Sequence, residues 1–187
     1  MKKFENIVAE YAQLNSVVQY GGAVVFGSTF SANLHVSELA QNFQTQQFMY
    51  NRSVENLSIV DAVKLLEPCV LDLYPEIVFI NLGETDLDFD RCTLLELIAQ
   101  YEWILYQIHA KLKNCSVEIV SVCSEHPNAT LFNRALLNMA KQAGCGFVDL
   151  EPVLSAKCPE VRAFGILRSF LQNGHLCFGD AMALAME

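Results

Sequence analysis

The tightest constraint on this chain is a short run in which Ile77, Val78, Phe79 and Ile80 stand together between Pro75 and Gly83, with only Asn81 separating them from Leu82. An apolar run that short and rich in β-branched residues reads as a strand buried on both faces, the signature of a parallel sheet covered by helices on either side. It predicts the central strand. In open parallel sheets ligands lie beyond the carboxyl ends of the strands, so Gly83, Glu84, Thr85 and Asp86 are expected on the rim of any functional cleft.

Helical and strand patterns alternate around that run. Phe4, Ile7, Val8, Tyr11, Leu14 and Val18 recur at helical spacing, predicting an amphipathic helix over 3–19 that stops at Gly21 and Gly22. Ala23 to Phe26 reads as a second buried strand, and Gly27 to Ser31 as the turn into a helix reaching Phe43. A weaker edge strand is expected over 46–50, and a helix over 57–73, interrupted at Pro68. After the central strand, Leu94 to Leu112 line the longest helix, ending near Asn114. A strand over 117–122, a helix over 131–143 and a strand over 146–150 follow. A broken helix over 155–170 and a short one over 178–187 close the chain.

This alternation predicts a three-layer α/β/α sandwich around a five-stranded parallel, flavodoxin-like sheet with right-handed crossovers. At 187 residues the length prior gives one domain, with the helix at 3–19 as an addition. With 52% hydrophobic and 18% charged residues the chain can bury a large core. Its net charge of -9 argues against nucleic acid or an anionic membrane as partner. Seven cysteines with no Cys-x-x-Cys pair indicate reduced thiols rather than a zinc site or disulfide framework. A cytoplasmic location is expected, with no signal peptide and no span of about 18 apolar residues to cross a bilayer.

In order and spacing, five blocks resemble the SGNH, or GDSL-type, esterase and acylhydrolase family. They are Val24-Val25-Phe26-Gly27, Asn51-Arg52, Pro75 to Gly83 with Asp86, Asn133 through Leu150, and Phe170 to His175. The resemblance implies a serine nucleophile after the first strand and an oxyanion hole made by that serine's amide, a glycine amide and an asparagine side chain. It also implies an aspartate and a histidine three residues apart. Such a site works because a hydroxyl attacks only when an imidazole takes its proton, and a carboxylate orients that imidazole and stabilises its cation.

Against this pattern the reacting positions are altered. Thr29 stands at the nucleophile's place if the first block is read without gaps, and Ser28 does if the turn is one residue shorter. Ser53 stands for the oxyanion glycine, Thr85 for the asparagine and Asn173 for the acid; the ungapped histidine position is Leu176, with His175 one residue early. Loss of one oxyanion donor costs about a hundred- to a thousandfold, and neutralising the triad aspartate of a serine protease about ten-thousandfold. These losses favour a non-catalytic protein that binds a small ligand or scaffolds an assembly. The alternative is a weak esterase or acyltransferase on a small acyl or carbohydrate ester, with Ser28 or Thr29 attacking and His175 as base.

Other readings weigh less. Residues 27–33 resemble a flavodoxin phosphate loop, which would imply FMN; the primary reading needs no cofactor and no metal. Glu84, Asp86, Asp88 and Asp90 form an acidic rim that reads as a solvated loop rather than a hard-cation site, with Asp86 equally readable as a loop-bracing acceptor or a functional group. His126 falls on the cleft side, where Pro127 ends the fourth strand; His35 and His109 fall in helices. The first helix, or a second copy of the chain in a homodimer, is expected to cover the face left bare by a short final helix.

Overall fold

The computed structural model describes residues 2–42, 47–87, 89 and 92–173, and only the backbone of residues 2–4, 172 and 173. Its centre is a parallel sheet of β1 (Ala23–Gly27), β2 (Met49–Asn51), β3 (Ile77–Asn81), β4 (Ser116–Val120) and β5 (Gly146–Val148), in the order β2-β1-β3-β4-β5. The run at residues 77–80 lies in the middle, paired with β1 on one side and β4 on the other. Its five residues are all buried, as its composition requires.

Side chains of the strands alternate between two cores. Val24, Phe26, Val78, Ile80, Val117 and Ile119 pack on one face against α4 (Ile59–Cys69), α5 (Leu94–Lys111) and α6 (Ala129–Ala143). Ala23, Val25, Ile77, Phe79, Val120 and Val148 pack on the other against α3 (Val36–Asn42) and α7 (Pro159–Asn173). The two-residue period of a strand thus builds the three layers.

The first helix, α1 (Lys2–Asn15), is shorter than its periodicity implies and lies on α4. Ile7, Val8 and Tyr11 press on the first core. Asn15 Nδ2 donates to the carbonyl of Pro68 at 2.8 Å, satisfying one of the acceptors that the last turn of a helix leaves open. Arg52, 4% exposed, donates to Asn15 Oδ1 at 3.1 Å and stacks its guanidinium over Tyr11 and Tyr50, 4.7 and 5.7 Å from the ring centres.

Several expected boundaries are corrected. The helix expected from the Gly27–Ser31 turn to residue 43 is two pieces, α2 (Thr29–Ala32) and α3, so His35 lies between helices rather than within one. Pro68 does not interrupt α4; it sits in its last turn, and a 3-10 turn, Leu71–Leu73, follows. The fourth strand ends at Val120, seven residues before Pro127. The helix expected to break over 155–170 is continuous from Pro159 to Asn173. The terminal helix expected at 178–187, with His175, Leu176, Asp88 and Asp90, lies outside the described residues. Among the described residues no helix is long and apolar enough to cross a membrane.

Candidate functional site

At the carboxyl edge of the sheet, β1 ends at Gly27 because the chain must turn there against its neighbour. A Cβ on Gly27 would fall 2.5 Å from the Asn81 carbonyl and 2.8 Å from Ser31 Oγ. Past it, the Ser28 amide donates to the Asn81 carbonyl at 3.0 Å, and α2 begins at Thr29. Ser28 and Thr29 consequently point to different places. Ser28 is 0% exposed, and its Oγ lies 2.8 Å from Thr85 Oγ1. Thr29 is half-exposed, and its Oγ1 accepts the backbone amide of Asn56 at 3.0 Å.

Asn56 is the residue that sequence reasoning missed. It holds a left-handed backbone, φ +57°, in a turn where the chain leaves β2 for α4. Asparagine is the non-glycine residue that best tolerates this region. Ser53, expected to offer its amide to an oxyanion, gives that amide to Asn51 Oδ1 at 3.0 Å and its hydroxyl to the Val25 carbonyl at 3.4 Å. Asn51 instead braces the loop, its Nδ2 donating to the carbonyls of Ser31 and Leu34 at 2.8 and 2.9 Å.

The Thr29–Asn56 contact and the Ser28–Thr85 pair together form one site at the sheet edge, the notch, whose other side is the turn after β3. Gly83 takes φ +114°, and a Cβ there would stand 2.2 Å from the Phe132 ring, so this turn is closed to other residues on two counts. It passes into a single 3-10 turn, Glu84–Asp86, that presents three side chains. Thr85 turns to Ser28. Glu84 Oε2 accepts the Phe30 amide at 3.0 Å, and the Asp86 carboxylate accepts the amide of Ile59, the first residue of α4, at 3.1 and 3.3 Å. Burial raises the Asp86 carboxyl to about 6 in spite of that bond, and the nearby Asp61 adds to the rise. Glu84 and Asp86 thus belong to the turn's scaffolding, not to a merely solvated loop.

Beneath the notch, Asn81 joins the strands. Its Oδ1 accepts Ser31 Oγ at 2.8 Å, and its Nδ2 donates to the Ser121 carbonyl at 2.8 Å. The lone polar residue in the central apolar run is therefore a fully employed amide, as burial demands. Further along the edge, Asn128 Nδ2 donates to the Leu87 carbonyl at 3.1 Å, and exposed His126 accepts the Asn128 amide through Nδ1 at 3.2 Å. His109, in α5, has its Nε2 3.5 Å from Cys145 Sγ.

Of the remaining expected residues, Asn173 is the last of α7 and is described by its backbone alone, while His175 lies outside the described residues. A flavodoxin-like use of 27–33 meets an obstacle in Glu84, whose carboxylate occupies the Phe30 amide that an anion would need. Among the described residues no group of three or more histidine, cysteine or acidic side chains is placed to hold a metal ion.

No protein-family model matches this chain, and no curated protein matches its sequence. Solved structures do match in three dimensions. A GDSL-like lipase from Bacteroides thetaiotaomicron has a TM-score of 0.68 at 12% identity, over 88% of this chain and 95% of that one. A lipase/acylhydrolase from Enterococcus faecalis has a TM-score of 0.64 at 14% identity, over 82% and 93%. A catalytic mutant of an acetylxylan esterase from Geobacillus stearothermophilus has a TM-score of 0.61 at 13% identity, over 85% and 97%. The chain has the SGNH/GDSL hydrolase fold.

Proposed function

We propose that this protein is an SGNH-fold binding protein whose notch at Thr29, Asn56 and Thr85 holds a small ligand without turning it over. The observation that carries this reading is the fate of Ser28. The serine at the end of β1 is sealed from solvent and tied to Thr85, the residue standing where the resemblance puts an oxyanion asparagine. An ester cannot reach it. The accessible hydroxyl is that of Thr29, and the position that the resemblance gives to the triad acid is Asn173, a side chain with no negative charge to hold an imidazolium.

Hydrolysis of p-nitrophenyl acetate and of acetylated xylo-oligosaccharides tests it. The expected result is a rate at the buffer background, the same for wild type and Thr29→Ala. Turnover that disappears in Thr29→Ala overturns the reading.

A second reading, a weak threonine esterase, is favoured by the accessible Thr29 hydroxyl, whose oxygen the Asn56 amide holds at 3.0 Å. Among the similar folds are a lipase and an acetylxylan esterase, which fits a small acyl or acetyl substrate. In that case Thr29 Oγ1 attacks the acyl carbon as its proton passes to His175, the alcohol leaves with that proton, and water then cleaves the acyl-threonine ester, releasing the acid and restoring the Thr29 hydroxyl. Activity in wild type that His175→Ala removes supports this alternative.

A further inference from the structure

Two separate loops make the notch, one carrying Asn56 and one carrying Thr85, and a single carboxylate joins them. Asp86 follows Thr85 directly, and its two oxygens receive the Ile59 amide, three residues after Asn56. Ile59 opens α4, so its amide is one of the donors a helix start leaves without an internal partner. Ser58 caps the same helix by accepting the Asp61 amide, and Asp86 takes a second first-turn donor, that of Ile59, from outside. Leu57, between Asn56 and this cap, is fully buried, so the loop has little slack between the two points.

We infer that Asp86 is the positioning residue of the notch: by anchoring the start of α4 to the Thr85 turn, it holds the Asn56 amide on Thr29 and the Thr85 hydroxyl on Ser28 together. This rests on the reading of the notch as the functional site and adds its regulation. Ionised, the carboxylate makes a charge-assisted bond to Ile59; protonated, it still accepts that amide but more weakly, and the link between the two loops loosens.

The charged groups around it are few among the described residues. On α4, Asp61 faces it, itself engaged by Lys64 Nζ at 2.7 Å and Ser58 Oγ at 3.0 Å. On its own turn, Glu84 is directed to Phe30 instead. The site should therefore change shape with a midpoint near pH 6, where this carboxyl titrates.

Amide NMR of the full-length protein between pH 4.5 and 8 tests the coupling without any ligand or ester, so its result is independent of whether the notch hydrolyses anything. The Ile59 and Asn56 amide resonances are expected to titrate together, with one midpoint near 6. In Asp86→Asn, which keeps an oxygen acceptor and a folded chain, both titrations vanish. In Asp86→Ala the Asn56 amide exchanges with solvent about tenfold faster or more. An Asn56 amide that does not move while Ile59 titrates overturns the inference, as does an Asn56 titration that survives in Asp86→Asn or the absence of both in wild type.

Discussion

The hydroxyls of Ser28 and Thr85 lie 2.8 Å apart, joining residues 57 positions distant in sequence at the ends of the neighbouring strands β1 and β3. One partner is sealed in the core and the other stands at the surface. A buried hydroxyl is expensive to leave unpaired, so this bond fixes the Thr85 turn from below while Asp86 fixes it from the side.

A double-mutant cycle measures the first of these. Thr85→Val strands the Ser28 oxygen and is expected to cost about 1–3 kcal/mol, whereas Ser28→Ala costs about 0.5–1.5 kcal/mol. The double variant should lose less than the sum, by about 0.5 kcal/mol or more, in urea denaturation. Strict additivity would mean that the bond carries no stability.

Asp86 makes stability depend on pH in an unusual direction for a carboxylate. Its folded value is near 6 and its ordinary value 3.8, so between them the native chain keeps a proton that the unfolded chain has released. Stability contributed by this group therefore rises as pH falls from about 6 towards 4. Asp61, lowered chiefly by its hydrogen bond from Lys64, acts oppositely, its contribution being lost as pH falls through its depressed range. Denaturation midpoints at pH 4.5 and 7 should show a difference between wild type and Asp86→Asn of that sign, and identical pH profiles would exclude it.

Gly83→Ala should be among the most damaging single changes. The added methyl meets Phe132 at 2.2 Å on a backbone of φ +114°, so overpacking and strain act together, at about 2–5 kcal/mol. Adding Phe132→Leu should restore part of the loss in thermal melts, since the clash is relieved and the strain is not.

Removal of residues 1–19 should cause aggregation or a lower melting temperature. Without α1 the buried Arg52 loses Asn15 and the Tyr11 ring, and the apolar surface under Ile7, Val8 and Tyr11 is opened to water. An unchanged melting curve would mean that α1 is an appendage rather than part of the core.

The inner strands β1, β3 and β4 could be read directly because they are buried on both sides, an environment that favours apolar, β-branched runs, whereas the partly exposed edge strands β2 and β5 carry a weaker pattern. Ends of helices were harder. The α2–α3 break at Asn33 to His35 is set by tertiary contacts, Asn51 binding the carbonyls of Ser31 and Leu34, which no local pattern reveals. Ser28 and Thr29 were both legible as candidates, but adjacent residues on a turn diverge by geometry alone, and spacing cannot say which is buried. Asn56 escaped notice because its role rests on a backbone amide, a group every residue but proline possesses. Ser53 was the plausible choice only until its amide was found bound to its own loop.

The half-exposed residue at the mouth of the notch is a threonine, a secondary alcohol with a methyl group fixed beside its oxygen. That methyl limits how closely a carbon centre can approach, and a β-branched residue has few rotamers with which to swing it aside. On the binding reading proposed above, a ligand that reaches this oxygen would be slender at the end it presents, as an acetyl group or a sugar hydroxyl is and a branched or long acyl chain is not.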